Sequence, residues 1–413
     1  MTWKTASSVP IEDRRGAVIW GLGLTQIIGY GTLYYSFSIL APDMARDLGW
    51  TREWVFGIFS AALLLGGLAA PSIGRRIDRH GAGSMMALGS LAAALSLVMC
   101  ALAPSRLVFV AGMMAMEIAS TFVLYNAAFA ALVQATPRTA QRSITHLTLI
   151  AGFASTLFWP VTAELHKHLT WREVYLAFAV LHVAICLPIH VWLARTMGME
   201  RRNQAVGRSN AGAIVEGKLA PGDRRRVFAL MALGFALQGL VLSSLLVHMV
   251  PLLTAVGLGT SAVLVGTLFG PSQVVSRFIN MLAGHGLSQL ALAVISAALL
   301  VVGLAALLLS APRLYGAVAF AILFGLGSGL TSIVQGSLPL ALFGSEGYGA
   351  LMGRISAIRL IVSALAPFVF SMMMAHVGTW SALSVTIALG ITAAAAFASI
   401  GWKPQSPELV SAT

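Results

Sequence analysis

Ionisable side chains occur inside long apolar segments of this chain, where a charge is costly unless it is paired or hydrated. Glu117 lies near the centre of one such segment, and Arg277 lies deep in another. At the centre of a membrane a charge costs at least about 2.5–3.5 kcal/mol. A carboxyl group at that depth can hold a proton and release it when water arrives, so Glu117 is a candidate proton-coupling residue. Permanent pairing with a group on a neighbouring helix would also explain a carboxyl group at this depth.

Polar residues recur at helical spacing in two stripes. The residues of each stripe lie on one face of their helix. The first stripe comprises Gln26, Tyr30 and Tyr34. The second comprises Glu117, Thr121 and Tyr125, with Asn126 beside it. Later segments carry Gln238, Thr331, Ser332 and Gln335. Interhelical hydrogen bonds, worth about 0.6–2 kcal/mol each, would explain any single residue, but two stripes favour a polar cavity that binds a solute.

Two arginines on later segments suit an anion. Arg277 has Gln273 one turn before it, and Arg359 lies near the start of its segment. Guanidinium groups bind carboxylates and oxyanions bidentately, so facing arginines would favour an organic anion. Arg359 is also explained by a side chain that extends to the aqueous interface. His146 titrates near neutral pH and is a further candidate for proton transfer.

The elements that position these residues must be lipid-embedded. Hydrophobic residues make up 58% of the 413 residues and charged residues 10%, and the mean hydropathy is +0.86. A soluble surface needs roughly a quarter of its residues charged, so the composition excludes a soluble protein. The net charge of +12 would be compatible with binding to nucleic acid. However, the basic residues lie in short clusters without interleaved aromatic residues. We expect a bilayer as partner and no nucleic acid.

A bilayer core takes about 20 apolar residues per helix, and twelve segments meet that length. They span 17–40, 54–73, 83–103, 106–134, 143–163, 174–194, 227–250, 262–283, 290–310, 314–342, 355–375 and 380–401. The first is a full span, so we expect it to remain as a helix and not to be a cleaved signal peptide. The sequence therefore predicts an all-α integral membrane protein.

One long hydrophilic stretch divides the spans into six and six. It covers residues 195–226 and holds eight basic residues against three acidic ones. The composition is typical of a mobile linker, with room for a short surface helix. We expect an N-terminal half (1–194), this linker, and a C-terminal half (227–413), related as two parallel repeats.

The distribution of Lys and Arg predicts the orientation. With the N-terminus inside, eighteen of the 26 lie in inner segments and six in outer loops. Basic residues are enriched in cytoplasmic loops. Both termini and the linker are therefore expected in the cytoplasm, and the protein in a bacterial inner membrane.

The loop after the second span carries a recognisable motif. It contains Gly74, Asp78, Arg79 and Gly81 in the pattern G-x-x-x-D-R-x-G. This resembles the signature of the major facilitator superfamily, in the same loop. The resemblance implies two pseudo-symmetric six-helix halves that work by alternating access. A glycine-bounded turn would present Asp78 to the N-terminal end of a neighbouring helix and latch the halves in one state.

Other parts of the chain depart from that family's common patterns. The equivalent loop of the second half, 284–288, lacks the Asp-Arg pair, so we expect an asymmetric latch. The fourth span has Arg106 at its edge but not the buried arginine of proton-coupled drug antiporters. The fifth has Gly152 and Pro160 without the Gly-Pro-rich antiporter motif. Multidrug antiport by the usual residues is therefore not expected.

A finer resemblance concerns the substrate. Residues 25–35, 143–149 and 170–175 are similar to a bacterial branch of the superfamily that exports arsenite and related trivalent metalloids. The resemblance implies proton-coupled efflux of arsenite. We expect it as the neutral trihydroxy acid, because Cys100 and Cys186 fall on spans that face lipid in this fold. An organic-anion transporter, as the arginines suggest, is the alternative.

Other classes of protein fit less well. The motifs H-E-x-x-H, G-x-S-x-G and the P-loop are missing from the sequence, so we expect neither an enzyme nor a primary pump. A non-transporting membrane sensor is the remaining alternative. We expect no cofactor and no metal, a small-molecule substrate, protons as the coupling ion, and a monomer.

Overall fold

The structure is a computed structural model, and it describes residues 14–205 and 214–401. The ends of the chain, predicted to be cytoplasmic, and the centre of the predicted linker (206–213) lie outside the described residues. Within the described ranges, twelve helices are long and apolar enough to span a membrane. They are α1 Arg15–Leu48, α2 Glu53–His80, α3 Ala82–Ala101, α4 Arg106–Ala135, α5 Pro137–His168, α6 Trp171–Met199, α7 Pro221–Leu258, α8 Ser261–Ala283, α9 Gln289–Ser310, α10 Leu314–Phe343, α11 Tyr348–His376 and α12 Thr379–Ala398.

Each predicted span overlaps one of these helices in order, so the all-helical prediction is confirmed. Several helices are longer than the apolar run that predicted them. The helix α2 continues through Asp78 to His80, where the sequence predicted a turn. The chain turns at Gly81, whose φ of 91° is strained for a side chain other than glycine. The motif therefore forms the last turn of α2 and a one-residue break before α3.

The two halves meet at the end of the bundle that carries this motif. The hydrophobic core of the N-terminal half takes in three side chains from the C-terminal half, Leu340, Tyr348 and Met352. These residues lie at the end of α10 and the start of α11. At the same end, a Cβ on Gly74 of α2 would overlap the carbonyl of Gly349 on α11. The bundle is thus closed here, on the side that the charge distribution predicts to be cytoplasmic.

Several helices are locally irregular. Widened π turns occupy Gly31–Tyr35 in α1, His182–Cys186 in α6 and Thr254–Leu258 in α7. In α4 the helix breaks at Leu124, whose ψ of −168° is extended. Such irregular turns inside helices are frequent at functional sites, and those of α1 and α4 bring their side chains to the boundary between the halves.

The linker begins as helix, passes the C-terminal half as an irregular segment and ends as the first turns of α7. The α-helix that ends α6 continues to Ala205. Glu216 then forms an isolated bridge with Gly344 in the turn between α10 and α11, and Ser345 donates its N–H to the carbonyl of Val215 at 2.9 Å. The described part of the linker after residue 213 is therefore docked against the C-terminal half.

Candidate functional site

Four tyrosines of the N-terminal half form a cluster at the boundary between the halves. The ring of Tyr30 lies 4.8 Å from that of Tyr125 and 6.3 Å from that of Tyr35. Tyr34 makes an edge contact with Tyr35 at 5.4 Å. The side chain of Tyr34 is 44% exposed although the residue lies within α1. Tyr34 is therefore accessible within the cluster, whereas the end of the bundle that carries Asp78 is closed.

The π turn of α1 explains why Tyr35 belongs to this cluster. Residues five positions apart stand about 140° apart on a regular helix. Here Ser36 donates its backbone N–H to the carbonyl of Gly31, five residues earlier, at 3.0 Å. The wider turn rotates Tyr35 onto the face of Tyr30. Regular helical spacing predicted that Tyr30 and Tyr34 line a cavity but did not include Tyr35, because no local sequence pattern indicates a π turn.

Two arginines of the C-terminal half face these tyrosines. Arg359 on α11 interacts electrostatically with Tyr30 and Tyr34, and Arg277 on α8 with Tyr35 and Tyr125. We call these six residues the central cleft. Arg359 lies eleven residues beyond the first residue of α11, because that helix starts at Tyr348 and not near 355. Its predicted position at the interface is therefore corrected: it lies at mid-helix.

Arg277 is held in place by neighbours on two helices. It is 6% exposed. Its Nε donates to the Ser332 hydroxyl at 3.1 Å, and its Nη2 donates to the side-chain amide oxygen of Gln273 at 3.3 Å. Its Nη1 reaches the N-terminal half, where a Cβ on Gly152 of α5 would overlap it. Glycine at this position thus gives the guanidinium room to cross between the halves.

Among the described residues, no ion pair joins these arginines to a carboxylate. In residues 14–205 and 214–401 the ion pairs join other residues, all near the helix ends. Glu117 is 4% exposed, and its Oε2 lies 3.1 Å from the hydroxyl oxygen of Ser120. It interacts electrostatically with Tyr34 and with Tyr175 on α6. Glu117 therefore lies behind the tyrosines, inside the N-terminal half, and not on the cleft surface.

Gln26 stabilises the break in α4. Its side-chain amide donates to the carbonyl of Val123 at 2.7 Å. Ala127 would make that bond in a regular helix, but its N–H bonds the carbonyl of Leu124 instead. Tyr30, one turn after Gln26, packs its ring against that of Tyr125 just past the break. Gln26 is fully buried, so its role is to shape the cleft and not to line it.

Other predicted residues lie elsewhere. Gln238 is 1% exposed and donates to the Ser296 hydroxyl on α9 at 3.0 Å. The prediction that it lines the cavity is therefore corrected: it joins two helices inside the C-terminal half. His146 contacts the carbonyl of Arg142 one turn earlier on α5 at 2.8 Å. Gln335 is half-buried on α10.

The motif of α2 makes the contact that the resemblance implies. The Asp78 carboxylate accepts hydrogen bonds from the backbone N–H groups of Gly349 and Ala350 at 2.8 and 2.7 Å. These are the first turn of α11, where unpaired N–H groups favour an anion. Asn126, beside the cleft, accepts from the Ser356 hydroxyl at 3.0 Å and so adds a second polar contact between the halves. Arg79 is exposed.

Two six-helix halves closed at one end, with a polar cleft between them, define a membrane transporter and not an enzyme. A model of the Major Facilitator Superfamily matches residues 22–367. The chain belongs to that superfamily and is a secondary transporter.

Solved structures share the fold at low sequence identity. The human organic anion transporter MFSD10 (TETRAN) is 17% identical with a TM-score of 0.72, covering 94% of this chain and 100% of its own. FucP in the outward conformation is 11% identical with a TM-score of 0.66, covering 92% and 98%. The proton:xylose symporter XylE is 13% identical with a TM-score of 0.66, covering 92% and 95%. Among curated proteins, none matches the sequence.

Proposed function

We propose that the protein carries a small anion, a carboxylate or an oxyanion, through the central cleft by alternating access. The observation that carries this proposal is the pair of arginines, Arg277 and Arg359, facing four tyrosines without a carboxylate partner among the described residues. Arg277 is buried and Arg359 is half-buried, so both cations need a counter-charge, and a bound anion supplies one. Guanidinium groups bind such anions bidentately, and tyrosine hydroxyls donate further hydrogen bonds.

Proton coupling is the second part of the proposal, with Glu117 as the proton-binding residue. Glu117 is buried and pairs with no cation among the described residues, so it can take up a proton and release it where water enters. Glu117 interacts electrostatically with Tyr34, which also faces Arg359. Its charge is therefore felt in the cleft, and this links the proton to the bound solute.

Arsenite export remains a second candidate. The cleft is lined by tyrosine hydroxyls, with Gln273 and Ser332 next to Arg277, and such groups suit a neutral trihydroxy acid. Thiols do not contribute to this cleft, because Cys100 and Cys186 are both buried inside the N-terminal half. A metalloid would thus be held by hydrogen bonds and not by sulfur.

A transport assay separates these candidates. Purified protein is reconstituted in vesicles and given labelled oxalate, lactate or arsenite, with and without a proton gradient. If the protein carries anions, oxalate or lactate should be transported and arsenite should not. Movement of arsenite alone would overturn it in favour of the second candidate. The direction of net flux under the gradient tests export, which the finer sequence resemblance implies.

A further inference from the structure

Two buried histidines of α6 are bonded to two buried threonines of α1. His182 Nε2 lies 2.8 Å from the Thr32 hydroxyl, and His190 Nε2 lies 3.1 Å from the Thr25 hydroxyl. All four side chains are at most 2% exposed. Neither histidine stands on the polar stripes that the sequence predicts to line a cavity.

The direction of both hydrogen bonds follows from the threonines. The Thr32 hydroxyl donates its proton to the carbonyl of Ile28 at 2.8 Å, and that of Thr25 to the carbonyl of Leu22 at 3.0 Å. A hydroxyl has one proton, so a threonine that donates to its own helix carbonyl accepts from the histidine. On this basis we assign the proton of each neutral ring to Nε2.

The two hydrogen-bonded pairs differ in the local helix geometry that they stabilise. Thr25 and His190 lie in regular helix, whereas Thr32 lies in the π turn of α1 that also contains Tyr34 and Tyr35. His182 is the first residue of the π turn in α6. The two irregular turns thus meet at the Thr32–His182 bond. If the turn of α1 tightened to a regular helix, Tyr35 would rotate away from the face of Tyr30.

We propose that His182 is a positioning residue for the transport site. Its N–H bond to Thr32 holds the π turn that directs Tyr35 toward Arg277. His182 contacts no group of the central cleft itself, so it acts through α1. This role rests on the proposed function of the central cleft. Its first test, however, measures the position of Tyr35 and needs no substrate.

The first test uses the alkylation rate of Tyr35→Cys in a background with Cys100→Ser and Cys186→Ser. Thr32→Val keeps the shape of the side chain and removes the acceptor. Loss of one ordinary hydrogen bond changes the equilibrium between the π turn and a regular helical turn by about fivefold. The alkylation rate should therefore change by about the same factor. Thr25→Val removes the equivalent bond to His190 and is the matched control, with no change expected. Thr32→Ser keeps the acceptor and should restore the original rate.

Equal effects of Thr32→Val and Thr25→Val would overturn the proposal, since both bonds would then only pack α1 against α6. An unchanged rate in Thr32→Val would overturn it as well. If Thr32→Val does not insert, His182→Met removes the donor and replaces it in the test. In vesicles, Thr32→Val should raise the KM for the transported probe, oxalate, lactate or arsenite, about fivefold and change Vmax less. If alkylation changes but none of the three probes moves, the proposed function fails while the positioning role stands.

Discussion

The carboxylate of Asp78 accepts a hydrogen bond from the backbone N–H of Gly349 at 2.8 Å, across the boundary between the two halves. Ala350 adds a second bond to the same group. A charged acceptor at a helix N-terminus combines charge-assisted hydrogen bonds with a favourable helix dipole. This contact exists only while α2 and α11 are together, so it stabilises the closed state of this end.

Replacing Asp78 by Asn should shift the protein away from this closed state. Asn keeps one acceptor oxygen but loses the charge, and hydrogen bonds to charged groups are worth about 1.5–3 kcal/mol. We expect a reduced rate of transport in vesicles with normal insertion, checked by size-exclusion chromatography. Wild-type transport in Asp78→Asn would show that Asp78 only caps α11 without influence on the cycle.

Glycine at position 74 should matter for the same contact. A Cβ on Gly74 would overlap the carbonyl of Gly349, so Gly74→Ala must push α2 and α11 apart at this end. We expect a longer distance between spin labels at Arg76→Cys and Arg354→Cys, both exposed at this end. Gly57→Ala is the matched control, because a Cβ there meets nothing within 4 Å. Equal distances in the two variants would contradict the prediction.

The sequence predicted the helices well but only part of the cleft. Apolar runs of about twenty residues are sufficient to locate membrane helices, whereas irregular turns depend on tertiary contacts. The break at Leu124 is stabilised by Gln26 from another helix, and nothing around residue 124 signals it. Gln238 illustrates a second limit: a polar residue in a span predicts either a cavity or an interhelical bond, and only the partner Ser296 decides.

Glu117→Gln should remove proton coupling but leave substrate exchange. Gln resembles the protonated carboxyl in shape and cannot ionise. We expect exchange of labelled substrate across vesicles to persist, while acceleration by a proton gradient disappears. Ser120→Ala, which removes the hydroxyl next to the Glu117 carboxyl, should keep the acceleration. Gradient-driven transport in Glu117→Gln would assign coupling to another group, with His146 tested next.

The orientation can be tested independently of transport. Eighteen of the 26 Lys and Arg residues lie in segments predicted to be inside, and basic residues are retained on the cytoplasmic side. Reporter fusions after Arg226 and at the C-terminus should both give a cytoplasmic signal. A periplasmic signal at either point would reject this topology.

Arg277 can decide between the two substrate classes. An anion gains a charge-assisted hydrogen bond from the guanidinium, typically about 1.5–3 kcal/mol, which is more than tenfold in affinity. A neutral metalloid hydroxide gains only an ordinary hydrogen bond. Arg277→Gln should therefore raise the KM for oxalate or lactate more than tenfold, and should leave arsenite transport largely intact if arsenite is the substrate.

The control for this variant must address folding, because Arg277 also donates to Ser332 and Gln273 within the C-terminal half. Ser332→Ala removes the bond from Arg277 Nε to this hydroxyl and keeps the charge, so it should insert normally and retain most anion transport. Arg277→Lys keeps the charge without the bidentate geometry and should give an intermediate KM. If all three variants insert and the KM for the anion changes equally, Arg277 holds the helices together and the anion binds elsewhere. A graded effect, largest in Arg277→Gln, places the anion against the guanidinium at the boundary between the halves.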